Sequence, residues 1–464
     1  MLSTSISATE ALKLTFYTVA ALLVVRQTYK ALPSWAKPKL GNNKDNNDNP
    51  DANDDICNPL TILSKMQAMM QLCRDEVPDD LPWFQVHACF LALLHLQAEL
   101  QLAHPTCKRR QYQQGGGAKP YRNVSELQEL VHYCQLAKWA YAKQYLELHG
   151  NLKAAGYALI RHDIATEPGR VGHFVAVQHE EKLAVIAIKG TSTLSDALTD
   201  VLGQAREHVL ENALTTTTGG NKDTNPITRV RIHEGMYAAA QLLLDDTLHL
   251  VQHFFVPRGY RVVVTGHSLG AGVACLLGLF LRTAVGPDLL NLRVWAFATP
   301  PCLDLDACRA MQDFCTTVVN NTDCIPRSSV QNLVHLNRLF TAIHGKLQAQ
   351  GRAPTNWKST RAFLRDLTKI DAETLLTPDE LLQVQADAVD QAPPQPHALF
   401  VPGRTLVLWE SAGKFDCVQG DGSLLALRHF DVATTMISDH PCLKYKENLG
   451  RLLQQWKDEE QSQK

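Results

Sequence analysis

One segment constrains the fold more than any other part of the chain, the run RVVVTGHSLGAGVACLLGLFLRTA at positions 261–284. Its β-branched start predicts a strand, and the apolar run near its end predicts a helix. Between them lies GHSLG at 266–270, a GxSxG turn. A serine in this strand–turn–helix setting is held in a strained conformation that exposes its hydroxyl at the carboxyl end of the strand. The pattern therefore predicts Ser268 as a nucleophile.

We expect that the two glycines of this turn are required because there is no room for a side chain at either position. Gly266 and Gly270 stand two residues before and two residues after Ser268, where strand and helix pass too close for side chains. Ser268 also lies at the amino terminus of the predicted helix, whose partial positive charge favours a developing anion. The turn thus predicts a nucleophile and part of the site that stabilises negative charge.

A serine hydroxyl needs a general base, and the base needs a carboxylate that orients it. In folds with this elbow the chain order is serine, acid, histidine. Asp323 directly follows a predicted strand at 316–320, where a parallel sheet presents its site residues, so Asp323 is the preferred acid. Asp304 and Asp306 follow an earlier strand and are expected to cap the next helix.

The preferred base is His440, which lies in MISDHPCL after the last predicted strand. Its neighbour Asp439 is expected to be structural rather than the acid of the site. We also expect the elbow residue His267 to point away from Ser268 and to pack in the core. Three other histidines are alternative bases, namely His429, His397 and His344.

From about residue 156 onward, short β-rich runs alternate with helices. This alternation predicts an α/β fold with a mostly parallel sheet flanked by helices, and the elbow favours the α/β-hydrolase fold. The predicted helices are 234–253, 271–284 and 304–314. The predicted strands are His173–Gln178, Ala184–Lys189, Arg261–Thr265, Leu292–Ala298, Thr316–Asn320, Thr405–Glu410 and Leu424–His429.

The rest of the chain divides by composition. Apolar spacing predicts a helical hairpin within 57–104, and a helix at 124–148 that is opened by Ser125. The polar run 41–56 and the stretch 108–120 are expected to be linkers. The predicted segments are 1–40, hydrophobic anchor or targeting segment; 41–56, disordered linker; 57–120, helical segment and linker; 121–450, hydrolase domain with a helical insertion at 331–400 before the catalytic histidine; and 451–464, polar tail.

The amino terminus contains an uncharged run of twelve residues at 14–25, LTFYTVAALLVV. It is short for a membrane span, so three interpretations stay open: a tilted anchor, a cleaved signal or transit peptide, and a buried or interfacial helix. Basic residues follow the run, and few precede it. If the run spans a membrane, this asymmetry places the remainder of the chain in the cytosol, whereas a signal would direct it to the secretory pathway or an organelle.

Composition excludes several classes of function. The formal net charge is -2, which argues against a nucleic-acid partner because such proteins present a basic face. The 12 cysteines have no zinc-finger spacing and are expected to be reduced and structural. Catalysis by a serine, a histidine and a carboxylate needs no metal and no organic cofactor, so none is expected. The sequence does not indicate an oligomeric state.

Several motifs together resemble the class 3, or fungal-type, lipases, and among them the sn-1-specific diacylglycerol lipases and their plant and algal relatives. They are AVIAIKGTSTLSDALTD, HEGM, VVVTGHSLGAG, FATPP, NTDCIPR and ISDHP. The resemblance covers roughly 124–330 and 400–445. It implies an α/β-hydrolase fold and a serine lipase that uses a triad of Ser268, Asp323 and His440.

The resemblance also implies residues that stabilise the oxyanion. Thr191 takes the position of the family's hydroxyl donor, and the backbone N–H of Leu269 is the second donor. Asp200, nine residues after Thr191, matches the aspartate that holds this hydroxyl in the family. Lys189 replaces the more familiar arginine before the glycine and lacks its bidentate fork. His233, in HEGM, is expected to be a structural hydrogen-bonding residue.

A mobile lid over an acyl groove is a further feature that the resemblance implies. The region 201–232 lies in the corresponding place, and its first half, VLGQAREHVLENAL at 201–214, is predicted to be an amphipathic helix followed by a flexible loop. An ordinary surface helix and loop is the alternative interpretation.

The implied substrates are glycerolipids, with diacylglycerol and triacylglycerol preferred, and the implied partner is a membrane or lipid-droplet surface. A phospholipase A1 or galactolipase, and a lipid acyltransferase, use the same type of site and stay open as alternatives. A peptidase on the same fold and a non-catalytic membrane scaffold are the more distant alternatives.

Overall fold

Nine strands form one mixed sheet in the computed structural model, which describes residues 81–103, 112–164, 169–191, 204–214, 226–289, 291–367, 372–390, 397–433 and 435–462. Together with two strands that form a separate pair, the strands of the described residues are β1 (Lys119–Pro120), β2 (Ala158–Asp163), β3 (His173–Gln178), β4 (Leu183–Ile188), β5 (Ala205–Leu214), β6 (Ile227–His233), β7 (Arg261–His267), β8 (Leu292–Phe297), β9 (Cys315–Asn320), β10 (Arg404–Ser411) and β11 (Lys414–Gly420). The order in the sheet is β1-β11-β10-β9-β8-β7-β4-β3-β2, and β5 pairs separately with β6.

The centre of the sheet is parallel and its margins are antiparallel. Strands β4, β7, β8, β9 and β10 pair in parallel, whereas β2 and β3 on one side and β11 and β1 on the other pair antiparallel. The carboxyl ends of five parallel strands therefore meet at one edge, which is where this type of sheet presents functional residues.

The helices of the described residues are α1 (Trp83–Ala103), α2 (Val124–Trp139), α3 (Tyr145–Ala154), α4 (Glu234–Leu250), α5 (Leu269–Val285), α6 (Leu305–Ala310), α7 (Val330–Ala349), α8 (Trp357–Asp366), α9 (Ala372–Leu375), α10 (Pro378–Asp390) and α11 (Cys442–Ser462). Helices cover both faces of the sheet. Along β7, Val263 packs in a core with α2, α3 and α11, whereas Val262 and Val264 pack in a second core with α4 and α5. Central strands buried on both faces explain the continuous apolar runs in the sequence, and the α/β-hydrolase fold that the sequence predicts is confirmed.

The chain divides into two compact units. The sheet and its covering helices belong to the larger one, which contains the described residues of 105–335, 389–431 and 435–464. The smaller unit contains the described residues up to 103, together with 336–388 and 432–433. Within it, Gln85 donates to the carbonyl of Pro354 at 3.1 Å, and the rings of Phe84 and His87 contact Trp357. The segment boundaries drawn from composition stay predictions.

Near one edge of the sheet, one strand prediction is wrong and strand β11 was not predicted. Leu424–His429 is not a strand: residues Leu425–Leu427 form a short 3-10 turn, and Leu424 and Leu427 are buried in a cluster with Trp409. The sequence also did not predict β1, β2, β5, β6 and β11 as strands. Of these, β11 follows β10 through a two-residue turn of Ala412 and Gly413. Both turn residues have positive φ, the pattern of a tight hairpin. The apolar run at 424–429 reflects burial alone.

The predicted amphipathic helix at 201–214 is also wrong. The described part of this stretch is β5, which pairs antiparallel with β6. Its buried residues Leu210 and Leu214 are four positions apart, a spacing that places two side chains on one face of either a helix or a strand. Pairing with β6 decides between the two, and local periodicity does not carry that information.

The start of the hydrolase region differs from its prediction in three places. The predicted helix 124–148 is broken into α2 and α3, and its N-cap is Asn123, whose side chain accepts from the Glu126 N–H at 3.1 Å, rather than Ser125. The predicted linker 108–120 is packed where it is described. Its residue Tyr112 is fully buried, and β1 pairs with β11.

Among the described residues, no helix combines the length and apolar character that crossing a membrane requires. The apolar run at 14–25, the linker at 41–56 and the first half of the predicted 57–104 hairpin lie outside the described residues.

The buried position of Tyr112 generates a stability prediction. Its ring packs edge-on against Trp409 at 5.0 Å, and its hydroxyl donates to the Asp431 carboxylate at 2.7 Å. Tyr112→Phe should lower the free energy of unfolding by about 1–3 kcal/mol, because the buried Asp431 carboxylate loses the hydrogen bond from this hydroxyl. Urea denaturation measures this. Tyr145→Phe, whose side chain is 55% exposed, is the control and should change stability by less than about 0.5 kcal/mol. Equal effects of the two substitutions would contradict the buried role of Tyr112.

Candidate active site

The turn after β7 is a strained elbow that close packing stabilises. Ser268 has φ 60 and ψ -132, outside the regions that side-chain-bearing residues prefer. A Cβ on Gly266 would lie 2.3 Å from the carbonyl oxygen of Gly270, and a Cβ on Gly270 would lie 2.5 Å from that of Ile188. Only glycine fits at either position. The backbone N–H of Ser268 donates to the Phe297 carbonyl at 2.9 Å, which ties the elbow to β8.

The structure brings Ser268, His440 and Asp323 into one chain of hydrogen bonds. Ser268 follows β7, Asp323 follows β9, and His440 precedes α11, so all three lie at the carboxyl edge of the parallel strands. The Nε2 atom of His440 is 3.1 Å from the Ser268 hydroxyl, and its Nδ1 atom is 3.1 Å from both carboxylate oxygens of Asp323. A carboxylate only accepts, so Nδ1 carries the proton and Nε2 is free to take one from the serine.

Asp323 is held in its ionised form. Burial acts to raise the pKa of this fully buried carboxyl, but the charge of His440 and the hydrogen bonds to Asp323 outweigh burial and lower the pKa below its ordinary value. The Tyr445 hydroxyl donates to it at 2.7 Å, and the Ile325 N–H donates at 2.9 Å. Tyr445 was not found in the sequence analysis, because a tyrosine on a C-terminal helix gives no local signal of such a contact.

The backbone that carries Asp323 is clamped by a buried arginine. The Arg327 guanidinium donates to the carbonyls of Asp323 at 2.7 Å, Asn321 at 2.9 Å and Ala426 at 2.8 Å. In the sequence, Arg327 appears only as the last letter of NTDCIPR. The clamp gives that residue a physical role, which is to hold the loop after β9 in one conformation.

The other candidate acids have structural roles. Asp304 caps α6, because its Oδ1 atom accepts from the Ala307 N–H at 3.0 Å. Asp439 accepts from the hydroxyl of Thr322 at 2.9 Å and from the Asn321 side chain at 3.4 Å, so it braces the loop that carries Asp323. Of the four histidines considered as base, His440 is the one that contacts Ser268. His429 is buried, and burial lowers its pKa to about 4.

The residues expected to stabilise an oxyanion lie beside the serine. Thr191 comes directly after the loop that follows β4, and its Oγ1 atom is buried with no hydrogen-bond partner among the described residues. Within the part of the chain that the structure describes, this hydroxyl has no acceptor that would compete with an oxyanion. The N–H of Leu269 is the first of α5, where backbone donors have no intrahelical acceptor. Asp200 lies outside the described residues.

Two further histidines near the site make structural contacts. His233 caps α4 by accepting from the Met236 N–H at 3.3 Å. The Nε2 atom of His267 lies 2.8 Å from the carbonyl oxygen of His440. Among the residues that the structure describes, no group of three or more His, Cys, Asp or Glu side chains is arranged to hold a metal ion.

Comparison with known proteins shows which families this chain is similar to. Residues 185–333 match the family described as class 3 lipase. Human diacylglycerol lipase-alpha is 33% identical over 174 residues, which are 36% of this chain and 15% of that protein. Mouse diacylglycerol lipase-beta is 32% identical over 169 residues, or 35% of this chain and 23% of that protein. The matches therefore span less than a quarter of the length of these relatives.

A solved structure of the Rhizomucor miehei triacylglyceride lipase matches 72% of this chain and 99% of its own, with 16% identity and a TM-score of 0.42. The sequence matches confirm that the chain is similar to class 3 lipases, and to diacylglycerol lipases among them.

The burial of His267 generates a prediction for the pH dependence of stability. Burial and then the charge of His440 lower its pKa from 6.5 to about 3. The unfolded chain therefore binds a proton on His267 more tightly than the folded chain does. The resulting contribution to the stability of the fold is complete above about pH 6.5 and is lost as the pH falls towards about 3. One such proton changes the free energy of unfolding by about 1.4 kcal/mol per pH unit.

Urea denaturation between pH 7 and pH 4 measures this effect. As the pH falls, His267→Gln should lose less stability than the wild type, and the difference should be about 1.4 kcal/mol per pH unit. The control is His179→Gln, because His179 is exposed. An unchanged slope in His267→Gln would show that His267 is not held neutral in the fold.

Proposed function

We propose that this chain, as a relative of the class 3 lipases, is a serine lipase that hydrolyses acyl ester bonds of glycerolipids, with diacylglycerol and triacylglycerol as preferred substrates. The observation that carries the proposal is the hydrogen-bonded chain from Ser268 through His440 to Asp323 at a strained elbow. The support for a lipid substrate is the similarity of residues 185–333 to class 3 lipases, together with the similarity of about a third of the chain to diacylglycerol lipases.

In the proposed reaction, the Ser268 hydroxyl attacks the ester carbonyl while His440 Nε2 accepts its proton. The imidazolium that forms is stabilised by the ionised Asp323 beside Nδ1. The negative charge on the carbonyl oxygen is met by Thr191 and by the N–H of Leu269, at the positive end of α5. His440 then returns the proton to the departing glyceride alcohol, and an acyl-serine is left.

The second half of the reaction repeats the same proton transfers with water. His440 removes a proton from a water molecule, which attacks the acyl-serine, and then protonates the Ser268 oxygen as the fatty acid leaves. An acyltransferase would differ only in the use of an alcohol in place of water. The steps require groups that this chain supplies, and each of them is a side chain or a backbone N–H.

Substrate access requires a change in the described conformation. Ser268 is 1% exposed and His440 is 8% exposed, so an acyl ester does not reach the hydroxyl directly.

Glycerolipids reside in membranes and lipid droplets, and we propose that the chain works at such a surface. The apolar run at 14–25 is the proposed anchor, with the hydrolase region on the cytosolic side.

The experiment that tests the proposal compares purified wild type with Ser268→Ala on dispersions of diacylglycerol, triacylglycerol, phosphatidylcholine and galactolipid. Fatty acid release from the first two substrates is expected to exceed that from the others. Ser268→Ala should reduce it by at least about 10,000-fold, because the acyl-enzyme no longer forms.

The control is Ser438→Ala, because Ser438 is an exposed serine two residues from the proposed base. It should retain wild-type activity. Fatty acid release that survives in Ser268→Ala would contradict the proposed nucleophile, and preference for a phospholipid or galactolipid would replace the proposed substrate class.

A further inference from the structure

A tyrosine hydroxyl lies directly beneath the loop that carries the proposed oxyanion donor. The N–H of Gly190 donates to the Tyr141 hydroxyl at 3.2 Å. The same hydroxyl is 3.0 Å from the Nδ1 atom of His267. A Cβ added to Gly190 would lie 2.5 Å from this hydroxyl oxygen, so loop and tyrosine are packed as closely as the backbone permits.

The second ring nitrogen of His267 contacts the backbone of the proposed base. Its Nε2 atom is 2.8 Å from the carbonyl oxygen of His440, and the two rings lie 4.8 Å apart. A carbonyl oxygen only accepts, so Nε2 of His267 carries the proton. In the neutral ring Nδ1 is then an acceptor. The Tyr141 hydroxyl consequently donates to Nδ1 and accepts from Gly190, so every donor in the bridge has an acceptor. The carbonyl oxygen of His267 is a second, more distant acceptor of this hydroxyl, at 3.4 Å.

The position of this bridge in the fold explains why it is needed. Parallel pairing of β4 with β7 ends at Ile188 opposite Gly266, so the loop at 189–191 is beyond the last pair of that ladder. Lys189 is held by the bond from its N–H to the Gly172 carbonyl at 2.8 Å, and the bond from Gly190 to Tyr141 attaches the next residue of the loop. Tyr141 is available because the chain leaves the helical path after α2 and places this residue between two helices.

We propose that Tyr141 and His267 are positioning residues that hold the oxyanion loop in register with the backbone of the base. This inference rests on the proposed lipase function. The bridge runs from Gly190, next to Thr191, to His440, and it passes beneath Ser268. It fixes the separation of the oxyanion donor, which acts on the carbonyl oxygen of the substrate, and the proton acceptor, which acts on the Ser268 hydroxyl. Sub-ångström errors in such separations reduce rates strongly.

Tyr141→Phe tests the proposal, because it removes one oxygen atom and keeps the ring. With a water-soluble short-chain p-nitrophenyl ester, kcat should fall by about 10- to 100-fold, because the oxyanion donor is less well placed in the transition state. KM should stay within about twofold. Rates are expressed per active site, titrated with a fluorophosphonate, so that any misfolded fraction does not count.

The matched control is Tyr157→Phe. The Tyr157 hydroxyl also contacts a histidine, His132, at 2.8 Å, but this pair joins α2 to the residue before β2 and is not part of the bridge. Its kcat should equal that of the wild type. An unchanged kcat in Tyr141→Phe, or an equal fall in both variants, would overturn the proposal.

A double-mutant cycle with Thr191→Val identifies the route by which Tyr141 acts. If Tyr141 works through the oxyanion loop, its removal should cost less when the Thr191 hydroxyl is already absent, so the two fold-changes should not multiply. Fully multiplicative effects would overturn the stated route.

The two proposals fail in different ways. Full activity in Ser268→Ala defeats the proposed function itself. An inactive Ser268→Ala together with a fully active Tyr141→Phe defeats only the positioning role.

Discussion

The close approach of β7, α5 and the end of β4 is the constraint on which the rest of the site depends. Two glycines allow three backbone segments to pass within distances that no side chain permits, and Ser268 is strained between them. The strained conformation is maintained because buried strands on both sides fix the elbow. One of the fixing contacts is the hydrogen bond from the Ser268 N–H to the Phe297 carbonyl. The same crossing places the first N–H of α5 next to the serine oxygen, so nucleophile and anion-binding donor arise from one turn.

The second requirement is a buried negative charge that does not lose its ionisation. Asp323 is fully buried, a condition that favours the neutral acid. The charge of His440 and three hydrogen bonds to the carboxylate oppose this effect and lower the pKa. Arg327 and Asp439 hold the surrounding backbone. Among the described residues, the site is therefore a set of buried polar groups that are largely satisfied by hydrogen bonds within the fold, whereas the Thr191 hydroxyl has no partner there. A rigid surrounding of this kind is suited to stabilise charge during a reaction without reorganising.

Much of this arrangement is predictable from the sequence, for physical reasons. The five parallel strands are buried on both faces and leave continuous apolar runs, and the elbow has a local sequence pattern. Chain order then selects Asp323 and His440, which the structure places in contact with one another and with Ser268. The failures share a cause. The identity of β5 depends on pairing with β6, the burial at 424–429 has no strand partner, and the contacts of Tyr141, Tyr445 and Arg327 join residues far apart in the chain. Local periodicity contains none of that information.

The central claim is that Ser268 is a nucleophile activated by His440, and covalent labelling tests it most directly. Wild-type protein is treated with a fluorophosphonate, digested and analysed by mass spectrometry, beside a His440→Ala variant. The account predicts one adduct per chain on Ser268, inactivation in proportion to labelling, and labelling at least about 1,000-fold slower in His440→Ala. Inactivation with the adduct on another residue, or ester hydrolysis that persists when Ser268 is fully labelled, would contradict it.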